Sequence, residues 1–271
     1  MKSDNLGDRM KNYERRSQSL LPRRTHTMIR LDGKAFHTYT KHCKRPYDLG
    51  LMRDMDNTAK YLCENIQGCK LAYVQSDEIT LALTDFTKIT TDAWFDGNVQ
   101  KITSISAALA TAKFNDLRLE RWKKTITGLE TAVSLIYQLG EFIENRSLAL
   151  FDSRCWVIPD IVEVHNCFVW RQQDAVRNSI QMLGQYHFSH KQLHKKSCND
   201  IQDMLMIEKK VNWNDCPAGF KRGRCVVREE SGWKIIDAPQ FTQKTNIDFI
   251  SKNLIKTETE SGEANFHNSE E

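Results

Sequence analysis

The stretch Leu71-Ala72-Tyr73-Val74-Gln75-Ser76-Asp77-Glu78-Ile79-Thr80-Leu81-Ala82-Leu83 constrains the fold most. An apolar run meets four polar residues, then resumes with Ile79, Leu81 and Leu83 in alternation. Two strands joined by a tight polar turn satisfy that pattern. The turn carries two adjacent carboxylates, Asp77 and Glu78. A second such place stands 45 residues before Asp77: Met28-Ile29-Arg30-Leu31-Asp32-Gly33-Lys34-Ala35-Phe36 is a β-prone run ending in Asp-Gly. A chain that brings Asp32 and Asp77 together holds a paired carboxylate site.

Between these two segments lies a helix, from Pro46-Tyr47-Asp48 to about Gln67. Met52, Met55, Ala59, Leu62 and Ile66 form its apolar face, and Gly68 stops it. The order strand, helix, strand, turn, strand predicts an α+β sandwich. Its first two strands lie side by side, and its sheet has one face covered and the other free. Further helices are expected over Leu6 to Leu20, ended by Pro22, over Asn98 to Leu117 and over Leu129 to Ile143. A strand over Ser147 to Pro159 follows. Next comes a long helix from Pro159 to Gly184, with Pro159 in its first turn. Phe220 to Arg228 and Trp233 to Ile236 read as a final hairpin. The expected organisation is a charged N-terminal helix (1–24), a catalytic domain (25–158), a helical and basic region with a hairpin (159–256) and a disordered acidic tail (257–271).

Charge narrows the partners. Five of the 35 acidic residues lie in the tail, which has no Lys or Arg, so the remainder sets 39 basic residues against 30 acidic ones, a net +9. That balance favours a polyanion. The eight cysteines include no Cys-x-x-Cys pair, which excludes a zinc ribbon and suits reduced thiols in a cytoplasm. No apolar run approaches the roughly 20 residues that span a bilayer, and no signal-peptide core is present, so no membrane partner is expected.

Asp32, Asp77 and Glu78 are the strongest chemical set. A hard divalent cation such as magnesium takes oxygen ligands and keeps several waters, so two carboxylates with substrate phosphates suffice. Gly33 lets a phosphate or metal approach the backbone. The amides from Lys34 through Ala35 and Phe36 to His37 open a helical turn suited to a triphosphate. Asp, Ser and Gly are also common turn residues, so spacing alone leaves a purely structural turn open. The segment His187 to Asp200 forms a basic constellation, with Lys195 and Lys196 as candidate phosphate or RNA contacts. Lys221 and Arg222 in the final hairpin are others. His190 and His194 stand at i, i+4 but lack a third zinc ligand.

Five segments in order resemble the tRNA-histidine guanylyltransferase family. They are Arg30-Leu31-Asp32-Gly33-x-x-Phe36, Arg45-Pro46-x-Asp48, Ala72-Tyr73-x-Gln75-Ser76-Asp77-Glu78, Phe151-Asp152-Ser153-Arg154 and Trp170-Arg171-Gln172-Gln173-Asp174. The similarity runs from about Met28 to Gly184. It implies a polymerase- or cyclase-type palm, a ferredoxin-like antiparallel sheet covered by helices. It implies 3′-to-5′ nucleotide addition to the 5′ end of tRNA. The resemblance assigns two Mg2+ ions to Asp32 and Asp77, one of them also bound by the Gly33 carbonyl. It assigns ATP, GTP or another nucleoside triphosphate to the segment Asp32 to His37 with Ser76 and Asp77. Glu78 takes the place of an acidic residue important for activity. Arg45 stands where the family has a functional Lys, which Lys44 beside it could replace. Arg154, Arg171 and Asn178 are carried as candidate phosphate or tRNA contacts. The family also suggests a homo-tetramer, a dimer of dimers, acting on tRNA and not on DNA.

One departure separates two activities. Enzymes that add the extra G to tRNA-histidine continue the long helix with His-Ile-Asn-Asn-Leu-Tyr-Asn. Here the place reads Val176-Arg177-Asn178-Ser179-Ile180-Gln181-Met182, which keeps only Asn178. That pattern resembles the branch that restores missing 5′ nucleotides on truncated tRNA by copying the opposite strand. Dedicated G addition, a nucleotide cyclase of related palm fold and a non-catalytic tRNA-binding protein are the alternatives.

Overall fold

A computed structural model describes residues 5–126 and 148–255. The elements run α1 (Leu6–Arg16), β1 (His26–Gly33), α2 (Phe36–Tyr39), α3 (Leu49–Asn65), β2 (Cys69–Gln75), β3 (Glu78–Leu83), α4 (Val99–Ile126), β4 (Phe151–Ile158), α5 (Ile161–His187), α6 (His190–Leu193), α7 (Cys198–Met204), α8 (Ala218–Arg222), β5 (Arg224–Glu229), β6 (Gly232–Asp237) and α9 (Phe249–Ile255). The helix expected over Leu129 to Ile143 and the acidic tail lie outside the described residues.

The six strands form one antiparallel sheet in the order β4-β1-β3-β2-β5-β6. This corrects the expectation that β1 and β2 are neighbours. β3 folds back from β2 through the two-residue turn Ser76-Asp77 and inserts between them, pairing Gln75 with Glu78 on one side and Asp32 with Glu78 on the other. The hairpin forms locally and leaves the free edge of β3 for β1, giving a split β-α-β arrangement.

Both sheet faces are covered, where one was expected to be free. On one face Ile29, Leu31, Val74, Ile79 and Leu81 pack with Met55 and Leu62 of α3 and Phe114 of α4. On the other, Met28, Leu71 and Tyr73 pack with Val164 and Phe168 of α5 and Ile250 of α9. β2 and β3 are central strands, buried along almost their whole length, and strands of that kind are apolar on both sides. A smaller cluster, with Ile180, Leu183 and Phe188 against Ile201 and Leu205, ties the second half of α5 to α7.

Several boundaries move. α1 stops at Arg16, before Pro22, because the chain then extends: Leu21 donates to the Gly97 carbonyl at 2.9 Å and Leu20 bridges to Asn98. None of its residues is buried, as its few apolar side chains lead one to expect. Asp160 caps α5 by accepting from the Val162 N–H at 2.6 Å, so Pro159 lies outside the first turn. Lys221 and Arg222 belong to the short helix α8, not to the hairpin, which begins at Arg224. The sheet crosses the boundary expected at 158/159, since β5 pairs with β2. All eight cysteines are free thiols, buried or partly buried.

Candidate active site

β1 ends at a row of three acidic residues. Asp32 lies between Glu78 of β3 and Asp152 of β4 in the sheet register. Asp77 follows in the β2–β3 turn, and its carbonyl accepts from the Gly33 N–H at 3.1 Å. The Lys34 N–H donates to the Leu150 carbonyl at 2.8 Å, so the start of the loop is clamped on both sides. Gly33 is required here: a Cβ would stand 2.2 Å from the Phe36 ring. That ring is buried against Phe114 and Phe151, at centroid distances of 5.5 and 5.3 Å. Ala35 adopts the left-handed conformation (φ 54°) and turns the chain into α2. The N–H groups that open this turn have no intrahelical acceptor.

Burial and mutual repulsion set the electrostatics of Asp32 and Asp77. Burial raises the Asp77 pKa to about 6, Asp32 adds to the rise, and the Ser76 side chain partly offsets it through a hydrogen bond. Burial raises the Asp32 pKa as well. Asp152 adds to that rise, and Arg154 and Arg30 oppose it. Two mutually repelling, partly desolvated carboxylates are oxygen donors of the kind a hard cation such as Mg2+ takes. Among the described residues no three His, Cys, Asp or Glu side chains form a closed metal site. Magnesium requires none when substrate oxygens and water complete its shell. His190 and His194 remain a pair, 6.4 Å apart between ring centroids.

Glu78 turns toward α5. Its Oε2 pairs with Arg171 Nη1 at 2.9 Å, and Gln75 and Thr80 approach its Oε1 at 3.4 Å. Arg171 is only 7% exposed. It was expected as a phosphate or tRNA contact, and the structure corrects that placement. A buried guanidinium is stable only beside a carboxylate, and here it fixes the turn to the helix. Gln172 extends the same tie by donating to the Pro239 carbonyl at 2.8 Å and accepting from the Phe241 N–H at 2.9 Å.

Arg154 is half exposed, pairs with Asp152 at 3.0 Å and shares a sheet face with Asp32. Asp152 was not selected from sequence. The signal available was its spacing of two from Arg154, which puts both on one face of a strand. The strand's partner was not legible.

A cleft of about 380 Å3 opens beside Asp77. Its floor is Gln75, Ser76 and Asp77, and one wall is the loop carrying Phe36, His37, Lys44 and Arg45. Asn178 stands on the opposite wall, part of α5, and Gly219, Phe220 and Arg224 close the back. The predicted Lys44, Arg45 and Asn178 are thus brought to the predicted Ser76 and Asp77. Lys195 and Lys196 are not; they are exposed in the α6–α7 loop. Lys221 and Arg222 are used internally. Lys221 Nζ donates to the Asn214 carbonyl, and Arg222 Nε donates to the Ala238 carbonyl at 3.0 Å. Both side chains stay partly exposed while these donors tie the C-terminal segment to itself. Arg224, which stands two residues after Arg222 in the same basic run, is 5% exposed and donates to Asp56 at 2.6 Å and to the Gly219 carbonyl at 2.8 Å.

Comparison with known proteins gives the family. The family model described as Thg1, tRNAHis guanylyltransferase, matches residues 7–159. A bacterial tRNA(His) guanylyltransferase (Thg1)-like protein solved in complex with ATP is 42% identical, with a TM-score of 0.81 and coverage of 92% of this chain and 99% of that one. A structure of such a protein with GTP is 37% identical, with a TM-score of 0.73 and the same coverage. The tRNA(His) guanylyltransferase of Debaryomyces hansenii is 26% identical over 234 residues, 81% of this chain and 79% of the relative. The match extends over more than half of the chain, and the chain belongs to the tRNAHis guanylyltransferase family of nucleotidyltransferases.

Proposed function

We propose that the chain is a magnesium-dependent nucleotidyltransferase that adds nucleotides in the 3′-to-5′ direction to the 5′ end of tRNA, as templated repair of 5′-truncated molecules. The observation that supports it most is the convergence of Asp32 and Asp77, with Asp77 lining a cleft that His37, Lys44 and Arg45 also line. On this reading the sheet is a polymerase-type palm. The altered stretch Val176 to Met182 favours repair over dedicated G addition. The protein works as a homo-tetramer in the cytoplasm.

The chemistry has two steps. A 5′-monophosphate oxygen of the tRNA attacks the α-phosphorus of ATP, and pyrophosphate leaves. The 3′-hydroxyl of the incoming nucleotide then attacks the activated 5′ phosphorus, and AMP leaves. Asp32, Asp77 and the Gly33 carbonyl would hold a divalent cation, which would lower the pKa of the attacking hydroxyl and neutralise phosphate charge. His37, Lys44 and Arg45 orient the triphosphate along the cationic wall. Glu78, clamped by Arg171, positions the Asp77 turn.

The test supplies 5′-labelled tRNA lacking its first nucleotide with Mg2+, ATP and each nucleoside triphosphate, and varies the opposing base. Addition that follows the opposing base in all four cases is expected. Addition of G alone, and only to tRNA-histidine, would show the dedicated activity instead. Asp32→Ala or Asp77→Ala abolishes transfer while tRNA binding persists.

A further inference from the structure

The two long walls of the cleft differ in charge. The loop wall carries His37, Lys44, Arg45 and one acid, Asp48, whose carboxylate accepts from the Lys44 and Leu51 N–H groups, whereas every α5 residue that lines the cleft is uncharged. On α5 the amides Asn178, Gln181 and Gln185 recur at i, i+3 and i+7, one face of the helix. Asn178 Nδ2 is committed to Asp174 at 3.2 Å. Among the described residues the Gln181 and Gln185 side chains make no hydrogen bond, and both residues are exposed. The Tyr47 and Phe220 rings, 4.7 Å apart, also line the cleft and supply an apolar π surface.

Position along the helix orders these features. The Glu78–Arg171 pair fixes the Asp77 turn at the 171 end of α5. Gln181 lies ten residues further on, about 15 Å at 1.5 Å per residue. A triphosphate is stabilised most by the cationic wall and by a cation at the carboxylate end, and a neutral amide row offers it hydrogen bonds but no charge. A nucleobase is neutral, has a π face to stack on aromatic rings and has donor and acceptor edges that an amide can match.

We propose that Gln181 and Gln185 read the edge of the nucleobase of a nucleoside triphosphate whose phosphates lie toward Asp77. Because an amide offers both a donor and an acceptor, the pair accepts either purine. This inference rests on the nucleotide-binding reading of the cleft.

The experiment is calorimetric binding of ATP, GTP and inorganic tripolyphosphate to the full chain with Mg2+. In the double variant Q181A/Q185A, ATP and GTP affinities fall about tenfold, the cost of one to two neutral hydrogen bonds, while tripolyphosphate binding is unchanged. In Q181E/Q185E the GTP-to-ATP affinity ratio rises several-fold, since a carboxylate accepts from the guanine N–H groups and cannot donate to adenine. Unchanged purine affinities in Q181A/Q185A overturn the proposal, and so does an equal loss of tripolyphosphate binding. Wild-type protein that binds tripolyphosphate but neither purine nucleotide overturns the nucleotide reading itself.

Discussion

Asp77 sets function against stability. Its carboxyl titrates near pH 6 in the fold against an ordinary value of 3.8, chiefly because it is buried and secondly because Asp32 repels it. Between those values the native state binds more protons than the unfolded one, so stability falls as pH rises through that window. Asp77→Asn is therefore expected to raise the Tm of metal-free protein at pH 7, with the gain vanishing by about pH 4. Mg2+ raises the Tm of the wild type and leaves that of the variant where it was. Thermal scans across pH, with and without Mg2+, check both statements, and a variant less stable at pH 7 refutes the first. Gly33 makes a separate demand. Gly33→Ala forces the buried Phe36 ring aside, at an expected cost of about 1–3 kcal/mol by urea unfolding, with loss of transfer activity.

At the scale of elements, the tie between the β2–β3 turn and α5 is one buried ion pair, Glu78–Arg171. Removing one partner leaves a desolvated charge. Arg171→Ala is expected to destabilise the fold by about 3–5 kcal/mol, and adding Glu78→Gln recovers part of it. Urea unfolding of both single variants and the double variant measures the coupling; additive effects would mean the pair holds nothing together. This tie was legible only in part. Trp170-Arg171-Gln172-Gln173-Asp174 stood out in the sequence, yet an Arg near phosphate chemistry reads as an anion contact. Only packing shows that its partner is a carboxylate from another element.

For the whole molecule, the C-terminal third completes both the sheet and the cleft. β5 pairs with β2, and Arg224 reaches Asp56 of α3. Deleting residues 218–255 exposes the β2 edge and removes Ile250 and Phe241 from the second core. The shortened chain is expected to aggregate, as a native-like circular dichroism spectrum with monodisperse chromatography would disprove. The exposed Lys195 and Lys196 lie away from the cleft. Their double replacement by Glu is expected to lower the salt dependence of tRNA binding by about one to two ions while leaving ATP affinity unchanged. Filter binding over a salt series measures the slope.

The sequence by itself determined the local features: the hairpin about Ser76-Asp77, the Asp32-Gly33 strand end, the apolar face of α3 and the long helix α5. Turn chemistry and apolar periodicity act over a few residues, and each is written where it operates. The tertiary structure decided what depends on pairing between distant segments. It inserted β3 between β1 and β2, covered the second sheet face, set Asp152 beside Asp32 and buried Arg171 against Glu78. Strand order and ion-pair partners are chosen by which edges and charges remain unsatisfied once the local elements have formed, and no stretch of sequence records that alone.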